Sequence, residues 1–202
     1  MSAGNRWEWR IFAPKLGSIP QAWLDAAEAA HLSDEEYLIS VASQHNVKIR
    51  DGVLDIKKLL IRDTSGVEQW QPVLRREFPL DAEAIKTLWK MWGLPVPVAR
   101  LNRCSHDELL EEVKGEPVLE AVRVAKKRAR IRVGECDGEF TLLNIRGERW
   151  QTLAIESLDP DDVVIAVTEL GFETTSNTNY PAALKTIIAA GAEETLITTE
   201  AK

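Results

Sequence analysis

The stretch VRVAKKRARIRV, residues 122–133, decides how the rest of the chain is read. At a strand's two-residue period, Lys126, Arg128, Arg130 and Arg132 share one face. Two carboxylates follow in the next strand-like runs, Glu139 in GEFTLLNI (138–145) and Glu156 in TLAIES (152–157). Near the N-terminus, WEWRIF (7–12) alternates Glu8 and Arg10 with Trp7, Trp9 and Ile11. Cations and acids sharing strand faces point to a polyanion site with room for a metal ion.

Working outward, a chain of 202 residues with 45% apolar content can bury a full core. Its net charge of −7 argues against general nucleic-acid binding, which is normally accompanied by a basic surplus. The cations are therefore local, and so is the partner they imply. Cys104 and Cys136 make no Cys-x-x-Cys pair, and His31, His45 and His106 stand in no metal-ligand spacing. Zinc, iron–sulfur and disulfide chemistry thus lack support. The N-terminus carries no apolar signal core, and no run approaches the roughly 18 apolar residues that span a bilayer. The expectation is a cytoplasmic protein without membrane contact.

Strands come first, then a helical middle, more strands and closing helices. The pattern predicts a short helix over 20–30 and a hairpin from Asn46 to Leu60 turning at Asp51-Gly52. Residues 34–42 read as a strand through Tyr37, Ile39 and Val41, while Ser33 with Glu36 also satisfies a capping box, and both readings stay open. After a strand over 68–80, Asp81 caps a helix ended by Gly93 and Pro95. A connection over 94–117 holds one short helix, SHDELLEEV. Asp137-Gly138 reads as a turn before Glu139, and Asp159-Pro160 opens a helix that Gly171 ends. A last helix follows Tyr180-Pro181. Residues 1–192 form one domain, and 193–202 a frayed tail.

Strands charged on one face and apolar on the other either close into a barrel with a charged lumen or form an open sheet whose charged face meets water. Inside a barrel, unpaired cations are costly, so acids and a bound anion must compensate them. That requirement connects Glu8, Glu139 and Glu156 with the basic strand. Taken singly, each group has a plainer role. A basic strand is ordinarily a solvated edge, and Glu139 pairs readily across strands. Trp7 and Trp9, opposite the charges, suit helix packing better than base stacking.

WEWRIF, VKIRDGVLDIKKL (47–59), VAKKRARIRV, GEFTLLNI, TLAIES and the closing LGF with NTNYPAALK (177–185) together resemble the CYTH superfamily, the triphosphate tunnel metalloenzymes. The resemblance implies an α+β fold, an antiparallel eight-stranded β-tunnel with helices packed outside. In that family, cations hold a triphosphate and acids hold divalent metal, here Mg2+ or Mn2+. Carried over by position, the resemblance makes Arg10, Lys48, Arg50, Lys57, Lys126 and Arg128 phosphate ligands, and Arg130, on the same face of the basic strand, is expected to join them. It makes Glu8, Glu139 and Glu156 metal ligands, with Glu139 and Glu156 also catalytic.

Two positions depart from the pattern. The first acid of the N-terminal Glu-x-Glu-x-Lys is Arg6, and the first acid of the late Glu-x-Glu is Ala154. Arg6, if lumenal, is an added phosphate ligand or an ion pair closing one mouth. Two functions therefore stand: a metal-dependent hydrolase of inorganic triphosphate or a nucleoside or organic triphosphate, and a non-catalytic binder of polyphosphate or a phosphorylated ligand. Oligomeric state and the organic group of the substrate are not legible.

Overall fold

The computed structural model describes residues 4–17, 19–97 and 102–200, with backbone alone for 191–200. Its strands are β1 (Arg6–Ala13), β2 (Leu32–Ser40), β3 (Asn46–Arg50), β4 (Val53–Arg62), β5 (Glu68–Glu77), β6 (Leu80–Asp81), β7 (Arg103–Cys104), β8 (Leu119–Val133), β9 (Cys136–Ile145) and β10 (Glu148–Ser157). Its helices are α1 (Gln21–Ala29), α2 (Ala82–Trp92), α3 (His106–Gly115), α4 (Pro160–Glu169) and α5 (Tyr180–Glu200). Eight strands close an antiparallel barrel in the order β1-β10-β9-β8-β2-β3-β4-β5, and β6 and β7 make a separate ribbon. Closure, rather than an open sheet, is the outcome. Part of the 94–117 connection, residues 98–101, and the end of the frayed-tail reading lie outside the described residues.

Local chemistry explains most element boundaries. Asp51 and Gly52 take φ of 52° and 71°, the positive pair that a two-residue hairpin turn needs. The Asp81 side chain accepts from Ala84 N, and Gly93 closes α2 in the left-handed region. Ser105 and Glu108 form a reciprocal capping box on α3, and Asp159 caps α4 ahead of Pro160. Residues 32–40 are strand, so the capping-box alternative at Ser33 and Glu36 does not hold. Ser33 pairs with Lys126 in the ladder.

The Asp137-Gly138 turn is also corrected. Both residues lie inside β9, and the chain turns earlier, at Gly134 with φ 54°. Gly138 serves packing instead, since a Cβ there would sit 2.5 Å from Ile131 Cγ1.

Three apolar clusters surround the charged lumen. Trp89 and Trp92 of α2, with α3, cover the outer faces of β3 and β4 through Val47, Ile49, Leu54 and Ile56. Trp9 packs with α4 and α1, and Trp7 joins from the rim of that cluster, so both serve helix packing. The third cluster joins Tyr37, Ile39, Val122, Val124, Leu143 and Ile145 to Tyr180, Leu184 and Ile187 of α5. These strand residues share the parity of the lumenal charges, so α5 fills one end of the barrel.

The route by which α5 enters is a split seam. β1 pairs with β5 only through Arg6, Glu8 and the residue between them. Beyond that point the segment Asn177–Asn179 takes over. Arg10 N donates to Asn177 Oδ1 (2.8 Å), Thr178 N donates to Arg10 O (2.7 Å), and Asn177 Nδ2 donates to Gly66 O (2.9 Å). Backbone groups left open by the missing ladder are thereby satisfied. No helix among the described residues is long and apolar enough to cross a membrane.

Candidate functional site

Strand register builds the site. Glu8 faces Glu156 across the β1–β10 ladder, and Arg10 faces Ala154. Across β9, Ala154 faces Glu139, which in turn faces Arg130 of β8. Alternation then carries Lys126 and Arg128 along the same face, with Lys48 and Arg50 supplied by β3 and Lys57 by β4. The residues expected to form the site thus converge in one lumen.

Its centre is a residue that the sequence reading did not single out. Glu35 of β2 has a fully buried side chain, and Lys48, Arg50, Lys126 and Arg128 all converge on it. Oε2 accepts from Lys126 Nζ (2.7 Å), Lys48 Nζ (3.1 Å) and Tyr37 Oη (3.0 Å), and Oε1 accepts from Arg128 NH2 (2.9 Å). Burial works to raise the Glu35 pKa, but Lys126 and Lys48 overcome it and hold the carboxyl far below its ordinary range. Burial presses the Lys126 ammonium toward its neutral form, and Glu35 is what opposes this. The available signal was parity. Glu35 shares a strand face with Tyr37 and Ile39, so an acid stood where an apolar residue was expected.

A second acidic group lies toward the other mouth. Glu8 and Glu156 stand opposite one another, and Arg10 Nε donates to Glu8 Oε1 at 2.8 Å. Burial again raises the Glu8 pKa, but Arg10 and Lys57 outweigh it and bring the group down to about 2. Glu156 receives the opposite treatment, as burial and the neighbouring Glu8 charge push it up to about 7. The pair therefore holds one shared proton below neutrality. Glu139 sits between the two groups, with Arg128 Nε 3.0 Å and Arg10 NH1 3.7 Å from its oxygens, and Thr141 Oγ1 donating to it.

The open mouth is a cavity of about 460 Å3 bounded by Arg6, Arg130, Arg132, Asp137, Glu139, Ala154 and Glu156. Ala154 contributes only a methyl to its wall. Arg6 and Arg132 each reach Asp137 at 2.8 Å, so Arg6 forms an ion pair at the rim. Among the described residues, no cluster of three His, Cys, Asp or Glu is arranged to hold a metal ion. Glu8 and Glu156, opposite one another in the ladder, still present hard oxygen donors of the kind that Mg2+ or Mn2+ takes. Chemically, the lumen offers fixed cations for an anion and a carboxyl group that exchanges its proton near neutral pH.

No protein-family model matches the chain, and no curated protein matches it. Among solved structures, the chain is similar to a candidate adenylate cyclase from Bacillus halodurans, at 12% identity and a TM-score of 0.44, covering 88% of this chain and 95% of that one. It is also similar to a conserved hypothetical protein from Pyrococcus furiosus, at 11% identity and a TM-score of 0.42, covering 86% of this chain and 92% of that one. A third similar structure is a candidate adenylyl cyclase from Hippeastrum, described as having a dominant triphosphatase activity, at 16% identity and a TM-score of 0.37, covering 83% of this chain and 87% of that one.

Proposed function

We propose that the protein is a divalent-metal-dependent hydrolase of inorganic triphosphate or of a nucleoside or organic triphosphate. The observation that carries this reading is the Glu8–Glu156 acidic pair lying beside Arg10 and Lys57 in the same lumen as the Lys48, Arg50, Lys126 and Arg128 cluster. Phosphoryl transfer asks mainly for positioning and charge neutralisation, which such a lumen supplies.

The cations, with Arg130 at the mouth, hold phosphoryl oxygens. Mg2+ or Mn2+ held by Glu8 and Glu156 would neutralise charge developing on those oxygens. Glu139 is paired with Arg10 and Arg128, and would have to loosen those pairs to serve as a further metal ligand. A carboxylate of the Glu139 and Glu156 set accepts a proton from the attacking water as its oxygen bonds to the terminal phosphorus and the bridging P–O bond breaks. The leaving phosphate group departs with that electron pair.

The test is phosphate release with Mg2+ or Mn2+ from tripolyphosphate, ATP, GTP and thiamine triphosphate. Metal-dependent release from at least one is expected. Tight binding with no release from any of them would favour the second reading, a non-catalytic binder of polyphosphate or a phosphorylated ligand. The features in its favour are Arg6, tied to Asp137, and Ala154, each at an acidic position of the resembled pattern.

A further inference from the structure

Tyr180 opens α5, and its ring forms the floor of the charged chamber. The ring stacks on Tyr37 at 4.8 Å between centroids and meets Phe12 edge-on. Lys126 Nζ lies 3.9 Å from its centroid and Arg10 Cζ 4.7 Å. The residue is only 5% exposed, yet among the described residues its hydroxyl is buried without a hydrogen-bond partner. The neighbouring Tyr37 hydroxyl, by contrast, donates to Glu35 and accepts from Lys126.

The charges acting on the Tyr180 hydroxyl come from β1, β9, β2 and β8, namely Arg10, Glu139, Glu35 and Arg128. The ring thus lies at the polar chamber, against Lys126 and Arg10, while the apolar packing of α5 continues through Leu184 and Ile187. The helix start offers no competing donor there. Asn179 already accepts from Ala182 N and Ala183 N, and Pro181 has no N–H. Buried hydroxyls in folded chains almost always have a partner, so an unpartnered hydroxyl on a ring that lies against Lys126 and Arg10 points to an acceptor supplied by an anion.

We infer that Tyr180 is an anion-binding residue of the lumen, its hydroxyl donating to an oxygen of the innermost phosphate in the chamber that Arg10 and Lys126 line. This rests on the reading of the lumen as a triphosphate site, and it makes a docked α5 part of that site. Burial raises the phenol pKa further above its ordinary value, so the group stays a donor across the working pH range.

The test compares the protein with Tyr180→Phe, which keeps the ring and its stacking. Tripolyphosphate Kd, measured by calorimetry at low salt without metal, is expected to weaken about five- to tenfold, the worth of roughly one hydrogen bond. Without anion, the melting temperature of Tyr180→Phe equals or exceeds that of the unmodified protein, because an unsatisfied hydroxyl is gone. Saturating tripolyphosphate reverses that order. Equal Kd values, or a lower melting temperature of the variant in the absence of anion, overturn the assignment while the triphosphate reading stands. If the unmodified protein binds neither tripolyphosphate nor sulfate, both fall together. Tyr37→Phe is the contrast, losing bonds to Glu35 and Lys126 and melting lower even without anion.

Discussion

Glu8 and Glu156 stand opposite one another in the β1–β10 ladder and are pulled apart in acidity to about 2 and about 7. Arg10 and Lys57 act on both groups, but Arg10 bonds to Glu8 alone, so Glu8 takes the charge and Glu156 the proton. The two carboxyls therefore titrate as one coupled pair.

Glu156→Gln tests the split directly. The folded-state pKa of Glu156, about 7, lies above its ordinary 4.5, so the folded state binds more protons between these values. Its contribution to stability is therefore lost as pH rises from about 4.5 through 7. Glu8 has the reverse sign, stabilising above 4.5 and losing that as pH falls toward 2. Denaturant unfolding at pH 5, 6, 7 and 8 should show Glu156→Gln gaining on the unmodified protein as pH rises. Parallel curves would remove Glu156 from the pair. The same variant should lose metal-dependent hydrolysis while binding tripolyphosphate as well as before, or better, since a negative charge is gone.

Arg128 and Arg130 separate chamber from mouth. Arg128 is engaged by Glu35 and Glu139, whereas Arg130 is solvent-exposed where β8 reaches the rim. Removing a charge-assisted bond from inside the chamber costs roughly 1.5–3 kcal/mol of binding energy, and an exposed charge contributes about 0–1 kcal/mol. Arg128→Ala should thus weaken tripolyphosphate at least tenfold, and Arg130→Ala only a few-fold with a stronger salt dependence. Equal losses in the two variants would mean the anion sits in the mouth.

Glu35→Ala should be the most damaging single change in the lumen. It strands the fully buried Lys126 and removes the one carboxylate that all four cations share, leaving Glu139 to Arg128. Breaking such a pair costs roughly 3–5 kcal/mol. Urea unfolding is the measurement, and tripolyphosphate should stabilise this variant more than the unmodified protein by replacing the lost charge. A loss under about 1 kcal/mol would show the cluster relaxing into water instead.

The parts of this architecture legible in the sequence are those with a period or a local cap. Lys126 and Arg128 announced β8 by alternation, Asp51-Gly52 its hairpin by backbone sign, and Asp81 and Asp159 their helices by hydrogen bonding to the first turn. Glu35 escaped because its only mark was parity, one acid on the face of Tyr37 and Ile39, and its role exists only once β3 and β8 flank it. Asp137-Gly138 misled because the glycine answers a contact with Ile131 on the neighbouring strand, which no local pattern encodes. The wedge at Asn177–Asn179 is invisible for a similar reason, since side-chain amides there replace a ladder that β1 and β5 fail to complete.

That wedge yields the last prediction. Asn179 caps α5 through Ala182 N and donates from Nδ2 to both oxygens of Glu68, each at 3.0 Å. Glu68 is 1% exposed and has Arg62 as its other partner. Asn179→Ala removes the cap and two bonds to a buried carboxylate, a loss of roughly 2–4 kcal/mol. Asn179→Asp distinguishes the two contributions, because it retains a capping oxygen but sets a second carboxylate against Glu68. Burial and the Glu68 charge would raise the new group's folded pKa, so stability of this variant falls as pH rises through that value. Unfolding at pH 5 and pH 8, with hydrogen exchange along α5, should show Asn179→Asp close to the unmodified protein at the lower pH and well below it at the higher. A difference independent of pH would leave capping as the whole role of Asn179 and detach α5 from Glu68.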